Sequence, residues 1–302
     1  MLNTIRHYDY LDALRGIAIL GVVLVHSGIL SGQQHTLYVI AFTGQRGVQL
    51  FYMVSAFTLF MTLDSRRTEQ KEISNFFIRR FFRIAPLFYL AIVANLLLYG
   101  RSLIIDDKLS ALDIISGFLF LHGLCPRTIN SVAIGGWSIA VETSFYLLVP
   151  MLYYRIKKLS HAIALFIVSA IVFGTMSYWL AYRVIDQDVK QYFGFLWFPI
   201  EFPVFVLGII AYLAWKNYAN VINNQGKEIE QGRSLSLLLI MSSAVLYLAN
   251  LPFSNRGLYL SSFLFLPLIL GLAIYPWSLF VNRFTTYVGK ISYSVYLVHF
   301  RA

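Results

Sequence analysis

Charge is what this sequence is shortest of. Only 13% of its 302 residues are Asp, Glu, Lys or Arg, against 58% hydrophobic, and the mean hydropathy is +0.68. An ordinary soluble domain carries about 25% charged residues, so that class is excluded and the solvent is read as a bilayer. Cysteine is nearly absent: with Cys125 alone, no intrachain disulfide forms and no cysteine-rich metal site is built. Metal-ligand spacing is missing too, with no HExxH and no carboxylate cluster, so no metal is expected. The absence of a Walker loop or Rossmann fingerprint removes the common nucleotide-cradling folds. Acidic residues are the scarcer sign, 14 against 24 basic, leaving a formal net charge of +10. The basic residues sit in short loops beside apolar runs, where they orient helices and meet anionic headgroups. Membrane lipids are therefore expected partners and nucleic acid is not. No internal repeat, low-complexity tract or linker stands out.

What is present is a series of apolar runs recurring at intervals of roughly 20 to 30 residues to the end of the chain. They predict an all-α fold, a polytopic transmembrane helix bundle filling residues 1–302 as a single domain. Expected spans cover residues 11–30, 50–63, 84–99, 135–154, 162–182, 193–215, 235–251, 258–280 and 287 onward. Residues 111–124 are apolar but short and hold Asp113 and His122, which fits a re-entrant dip better than a crossing. Nine or ten segments are expected in all. The opening residues lack a small-residue cleavage pattern, so they read as a retained first helix rather than a signal peptide. Arg66, Arg67, Lys71, Arg79, Arg80 and Arg83 crowd the loop before the third span, which by the positive-inside rule is cytoplasmic together with the N-terminus. Treating 111–124 as a dip also puts Arg155, Lys157, Lys158, Lys216, Lys227 and Arg233 inside.

The first span is unusual in carrying Asp12, Arg15 and His26. Arg15 and His26 are eleven positions apart, which at roughly 100° per residue brings them to one helix face, separated by roughly 16 Å of axis. Ionisable groups inside a span are expensive and face protein or water, so this face is expected to line a cavity. The cavity is read as holding a long cosubstrate with an anionic head, Arg15 towards the charged end and His26 at the reactive end. Glu142, five residues after Trp137, is a second intramembrane carboxylate that must be paired or protonated. Glu201, between Pro199 and Pro203, reads as part of a pocket wall on a broken helix. His7, His35 and His161 fall in loops or at span ends.

Five stretches in order, ALRGIAILGVVLVH, LFYMVSAFTLF, RRFFRIAPLFYL, GGWSIAVETSFYLLVPML and YVGKISYSVYLVH, resemble the acyltransferase 3 family of integral membrane O-acyltransferases. The resemblance covers nearly the whole chain. It implies transfer of an acyl group other than amino-acyl, acetyl above all, from acetyl-CoA as cosubstrate onto a hydroxyl of a carbohydrate or lipid-linked glycan. It also implies a bacterial inner (plasma) membrane location and a role in polysaccharide modification at the cell envelope. Carried over by position, the family's first-helix arginine and histidine match Arg15 and His26, and its basic motif matches Arg80 and Arg83. Its tryptophan, serine and glutamate match Trp137, Ser138 and Glu142, and its C-terminal histidine matches His299. Since a final helix would continue beyond Ala302, the last helix is expected to be truncated, which bears on whether this chain is active.

Acyl transfer to an alcohol needs a base for the hydroxyl proton, and histidine suits that task near neutral pH. His26 is the expected general base, with covalent acyl carriage on a ring nitrogen the other possibility. Arg15, Arg80 and Arg83 suit the phosphates of the coenzyme. Glu142 is expected to orient His26 or to hold the acceptor. Trp137 would stack on a sugar, and Ser138, Tyr293 and His299 would complete substrate binding. A transporter or flippase for a polar solute or lipid-linked glycan is the competing reading, since polar groups in a helix bundle also mark solute pathways. It would be supported by inverted repeats, and none is visible.

Overall fold

A computed structural model describes residues 8–27, 44–105, 109–225, 230–250 and 258–299. The expectations for His7, His35 and the chain's last three residues fall outside them. Every regular element among the described residues is helical. The first two helices, α1 (Asp9–His26) and α2 (Gly47–Ser65), run antiparallel, and their backbones meet where Gly21 faces Gly44 and Ala18 faces Gly47. Small residues at such a crossing let helices approach closely where no hydrophobic force drives association. Then come α3 (Glu72–Ile105), the short α4 (Ala111–Phe118), α5 (Gly136–Arg155) and α6 (Leu159–Arg183). A π-helical turn, Val189–Phe193, leads into α7 (Phe198–Gln225) and α8 (Glu230–Asn250). The chain closes with α9 (Leu258–Phe263), α10 (Phe265–Ile274), α11 (Arg283–Lys290) and α12 (Ser292–Val298).

At the centre α2 packs along α7. Met53, Val54, Phe57, Val204, Phe205 and Leu207 are fully buried there, and Phe205 stacks between Tyr52 at 4.6 Å and Phe145 of α5 at 4.0 Å. Apolar side chains also cover the outside: Leu97, Leu147, Ile171, Val172 and Leu238 are exposed. A surface that apolar is untenable in water over so many turns and is what lipid contact requires.

Four helical stretches among the described residues are long and apolar enough to cross a bilayer: Gly44–Ser65, Glu72–Leu98, Leu159–Arg183 and Val189–Ile222. The nine or ten spans expected from sequence are not confirmed among the described residues, and several of the expected runs have local interruptions. Helix α1 has 18 residues but spends three of them on Asp9, Asp12 and Arg15. The expected span 258–280 divides into α9 and α10, which stops at an extended Tyr275 because the residue before Pro276 is pushed out of the helical region. The expected last span divides at Ile291 into α11 and α12, and α11 starts where the Asn282 side chain accepts from the Phe284 and Thr285 amides. Helix α4 has only 8 residues, roughly 12 Å of rise, too short to cross. Asp113 has a local structural role: it and Ser110 form a capping box at the α4 N-terminus.

Two further expectations are corrected. Arg79, Arg80 and Arg83 are not in a loop, because α3 starts at Glu72 and carries them on its first turns, with Pro86 in its interior rather than its first turn. At 34 residues and roughly 51 Å, α3 exceeds the hydrocarbon layer, so its basic turns can stay helical outside it. The helix around Glu201 is not broken: α7 runs unbroken from Phe198 through Pro203.

Helix α11 lies against α1 through two glycines. A Cβ at Gly16 would run into the carbonyl of Thr285, and one at Gly289 into the carbonyl of Asp12, both rigid backbone atoms. Gly289→Val is therefore expected to reduce the yield of monodisperse protein in detergent severely, whereas Gly232→Ala, facing flexible side-chain ends, is expected to be mild. Size-exclusion profiles of the two variants check this.

Candidate active site

Arg15 sits at mid-depth on α1, its side chain 11% exposed. Its guanidinium donates to Asp12 Oδ1 at 2.9 Å, one turn back, and to Thr58 Oγ1 at 2.8 Å on α2. Its surroundings form a cavity of about 60 Å³ whose wall is mostly apolar but which takes in Arg83 of α3, Ser55 of α2, Ser138 and Glu142 of α5, and Tyr293 of α12. Glu142 is not aimed at His26. Its Oε1 accepts from Ser55 at 2.8 Å and from Tyr146, one turn on, at 2.6 Å. Tyr293 donates to the Ile84 carbonyl at 2.9 Å, tying α12 to α3. Five residues singled out from the sequence, Arg15, Arg83, Ser138, Glu142 and Tyr293, thus meet in one place.

The basic cluster on α3 divides its work. Arg83 faces the cavity. Arg80 lies over the rings of Phe76 and Tyr146, 5.9 Å from each centroid, and so buttresses the tyrosine that holds Glu142. Arg79 pairs with Glu69 at 3.0 Å, a contact that holds the Glu69 carboxyl below its ordinary range.

His26, at the other end of α1, lines a second and much larger cavity of about 1070 Å³. Its Nδ1 is 2.8 Å from the Val22 carbonyl, which places the proton on Nδ1 and the basic lone pair on Nε2. His299 stands beside it, its Nε2 3.3 Å from His26 Nδ1, the rings 5.1 Å apart and the His299 Nδ1 donating to the Tyr296 carbonyl at 2.7 Å. The large cavity also takes in Trp137, Arg46, Gln49 and Glu201. Trp137 and Ser138 are aimed by the turn before α5, where Gly135 adopts a φ of 76°, open to glycine and strained for other residues. The Gly135 carbonyl accepts from Ser138 at 3.1 Å and from Tyr296 at 3.3 Å.

From the sequence Arg15 and His26 were expected on one continuous cavity; Arg15 lines the smaller space and His26 the larger one beside it. Val48 and Tyr296 line both. Sequence reasoning also passed over Ser55 and Tyr146 as partners of Glu142, and Gln49 altogether. Tyr146 was findable, since residues four apart on a helix are neighbours; Ser55 and Gln49 lie on another helix and carry no such signal. His122 belongs to neither cavity: it is 1% exposed, hydrogen-bonds the Gly136 carbonyl through Nε2 at 3.0 Å and stacks on Phe88. Among the described residues no group of three or more His, Cys, Asp or Glu is placed to hold a metal ion.

Comparison with known proteins bears on this arrangement. The chain is 29% identical over 98% of its length to O-acetyltransferase OatA of Staphylococcus aureus (strain NCTC 8325 / PS 47), covering 50% of that protein. It is 25% identical over 98% of its length to the putative O-acetyltransferase SACOL0978 of Staphylococcus aureus (strain COL), again covering 50%. The chain therefore spans about half the length of these curated relatives. No solved structure matches it significantly. The family model described as an acyltransferase domain, of the acyltransferase 3 type, matches residues 8–301, nearly the whole chain, and the chain belongs to the acyltransferase 3 family.

Proposed function

We propose that this chain is one integral membrane domain that moves an acetyl group from acetyl-CoA to a hydroxyl of a carbohydrate or lipid-linked glycan. One observation carries the reading: a cavity with Arg15 and Arg83 on its wall adjoins, across Val48 and Tyr296, a large cavity with a histidine on its wall. The arginines receive the anionic part of the donor, entering from the cytoplasmic side that the basic turns of α3 mark. His26 Nε2 takes the proton of the acceptor hydroxyl as its oxygen attacks the thioester carbonyl. The carbon–sulfur bond then breaks, and the imidazolium returns the proton to the departing thiolate. His299 holds the His26 ring, and Trp137 offers a face for the sugar. Glu142, held by Ser55 and Tyr146, supports the wall between the two sites rather than the base itself. Val48 and Tyr296, which line both spaces, stand where the pantetheine arm would pass from the arginines to His26.

Membranes containing the chain are expected to transfer label from [acetyl-¹⁴C]acetyl-CoA into an alkali-labile ester of the carbohydrate fraction. Label no greater than in membranes lacking the chain would remove the reading.

A further inference from the structure

The mechanism leaves the most deeply buried carboxyl among the described residues unused. Glu201, in the first turn of α7, is 1% exposed and lines the large cavity with His26. Its Oε1 accepts from Gln49 Nε2 of α2 at 2.9 Å. Its Oε2 and the Gln49 Oε1 have no hydrogen-bond partner. Two buried polar atoms left without partners are a poor way to pack two helices, and a pair of leucines would serve α2 and α7 better. An unpaired carboxyl this deeply buried is kept protonated, so it can donate as well as accept. The arrangement makes sense if the missing partners arrive with a ligand. The pair is also rigidly mounted, since α2 and α7 form the centre of the core, with Tyr52 of α2 stacked on Phe205 of α7. Gln49 lies in the first turn of α2, which the antiparallel pairing with α1 brings to the level of the His26 end. Trp137 and Tyr259 stand on the same cavity, and Tyr259 is fixed by its hydroxyl donating to the Ile200 carbonyl at 2.9 Å.

Resting on the acyl-transfer reading, we infer that Glu201 and Gln49 recognise the acceptor. Together they hydrogen-bond two neighbouring polar groups of a pyranoside, either two hydroxyls or a hydroxyl and an acetamido group, Gln49 Oε1 accepting and the Glu201 carboxyl accepting or donating, and so hold a further hydroxyl towards His26. A site built to pair with such groups rejects analogues that lack them, so the pair sets acceptor specificity.

The test uses the full chain in lipid nanodiscs with labelled acetyl-CoA and two acceptors, p-nitrophenyl β-glucoside and p-nitrophenyl N-acetyl-β-glucosaminide. Glu201→Gln and Gln49→Met are each expected to raise the acceptor KM about tenfold or more while kcat stays within about twofold, the pattern of lost uniform binding. A larger rise for the N-acetyl sugar supports the acetamido group as a partner, and equal rises support two hydroxyls. Unchanged KM for both sugars in both variants overturns the inference, as does a lowered thermal midpoint with unchanged KM, which assigns the pair to packing. Wild-type protein that turns over acetyl-CoA but transfers to neither sugar overturns the inference and leaves acyl transfer standing. Wild-type protein that does not turn over acetyl-CoA removes both.

Discussion

His26→Ala is expected to lower acetyl transfer by about 10²–10⁴-fold, the contribution of a positioned general base, with little change in the KM for acetyl-CoA. The separation of kcat from KM follows from geometry: His26 lines the large cavity, and Arg15 and Arg83 line the small one. Truncation is not expected to unfold the protein, because His26 is the last residue of α1 and is itself exposed. His26→Gln keeps most of the volume and a hydrogen-bonding end but no base, and should be as inactive as alanine. His299→Gln is the informative comparison. Its ring touches His26 at 3.3 Å without lining either cavity, so removing it should lower kcat by about tenfold or less by loosening the base. Rates are read as labelled ester formed per folded protein. His26→Ala retaining more than a tenth of wild-type kcat would end the general-base assignment, and His299→Gln matching its loss would make the two rings one catalytic unit.

The parts of this site legible in the sequence are those that one helix carries. Arg15 and His26 fall on one face by periodicity alone, and their neighbours on α1 follow from it. The contact between His26 and His299 joins residues 273 positions apart, and no local pattern announces it. Glu201 showed as a carboxylate in an apolar run, but nothing local marked its partner Gln49. Only the packing of α2 on α7 brings the two side chains together and buries them. Membrane topology misled in a different way. Counting apolar runs assumes that each run is one crossing helix, whereas the described residues after 257 form shorter pieces that end at Tyr275 and divide at Ile291. Charge misled as well, since a cluster of arginines was read as loop. Arginine is a good helix former, and α3 is long enough to carry the cluster on its opening turns, where Arg79 pairs with Glu69, Arg80 packs on Phe76 and Tyr146, and Arg83 faces the small cavity. The position of Val48 and Tyr296 on both spaces is likewise a tertiary fact, supplied by α2 and α12 and invisible from α1.

Arg15→Gln is expected to raise the KM for acetyl-CoA about a hundredfold, equivalent to about 2.7 kcal/mol and in the range of a lost charge-assisted pair of hydrogen bonds. A competing account gives Arg15 only a structural task. Its guanidinium bridges Asp12 and Thr58, so its loss leaves the Asp12 carboxylate without its arginine partner and loosens α1 from α2. The two accounts separate in the double variant Asp12→Asn/Arg15→Gln. If Arg15 merely neutralises Asp12, removing both restores packing and most of the activity. If Arg15 receives the donor's anion, the double variant recovers its thermal midpoint but keeps the raised KM, because no other cation replaces the guanidinium on that wall except Arg83, which faces the same cavity and cannot occupy both positions. Arg15→Lys sharpens the distinction: it keeps the charge and loses the planar fork, so an intermediate KM is expected. Full recovery of acetyl-CoA KM in the double variant would leave Arg83 as the donor-side cation and reduce Arg15 to a clamp between the first two helices.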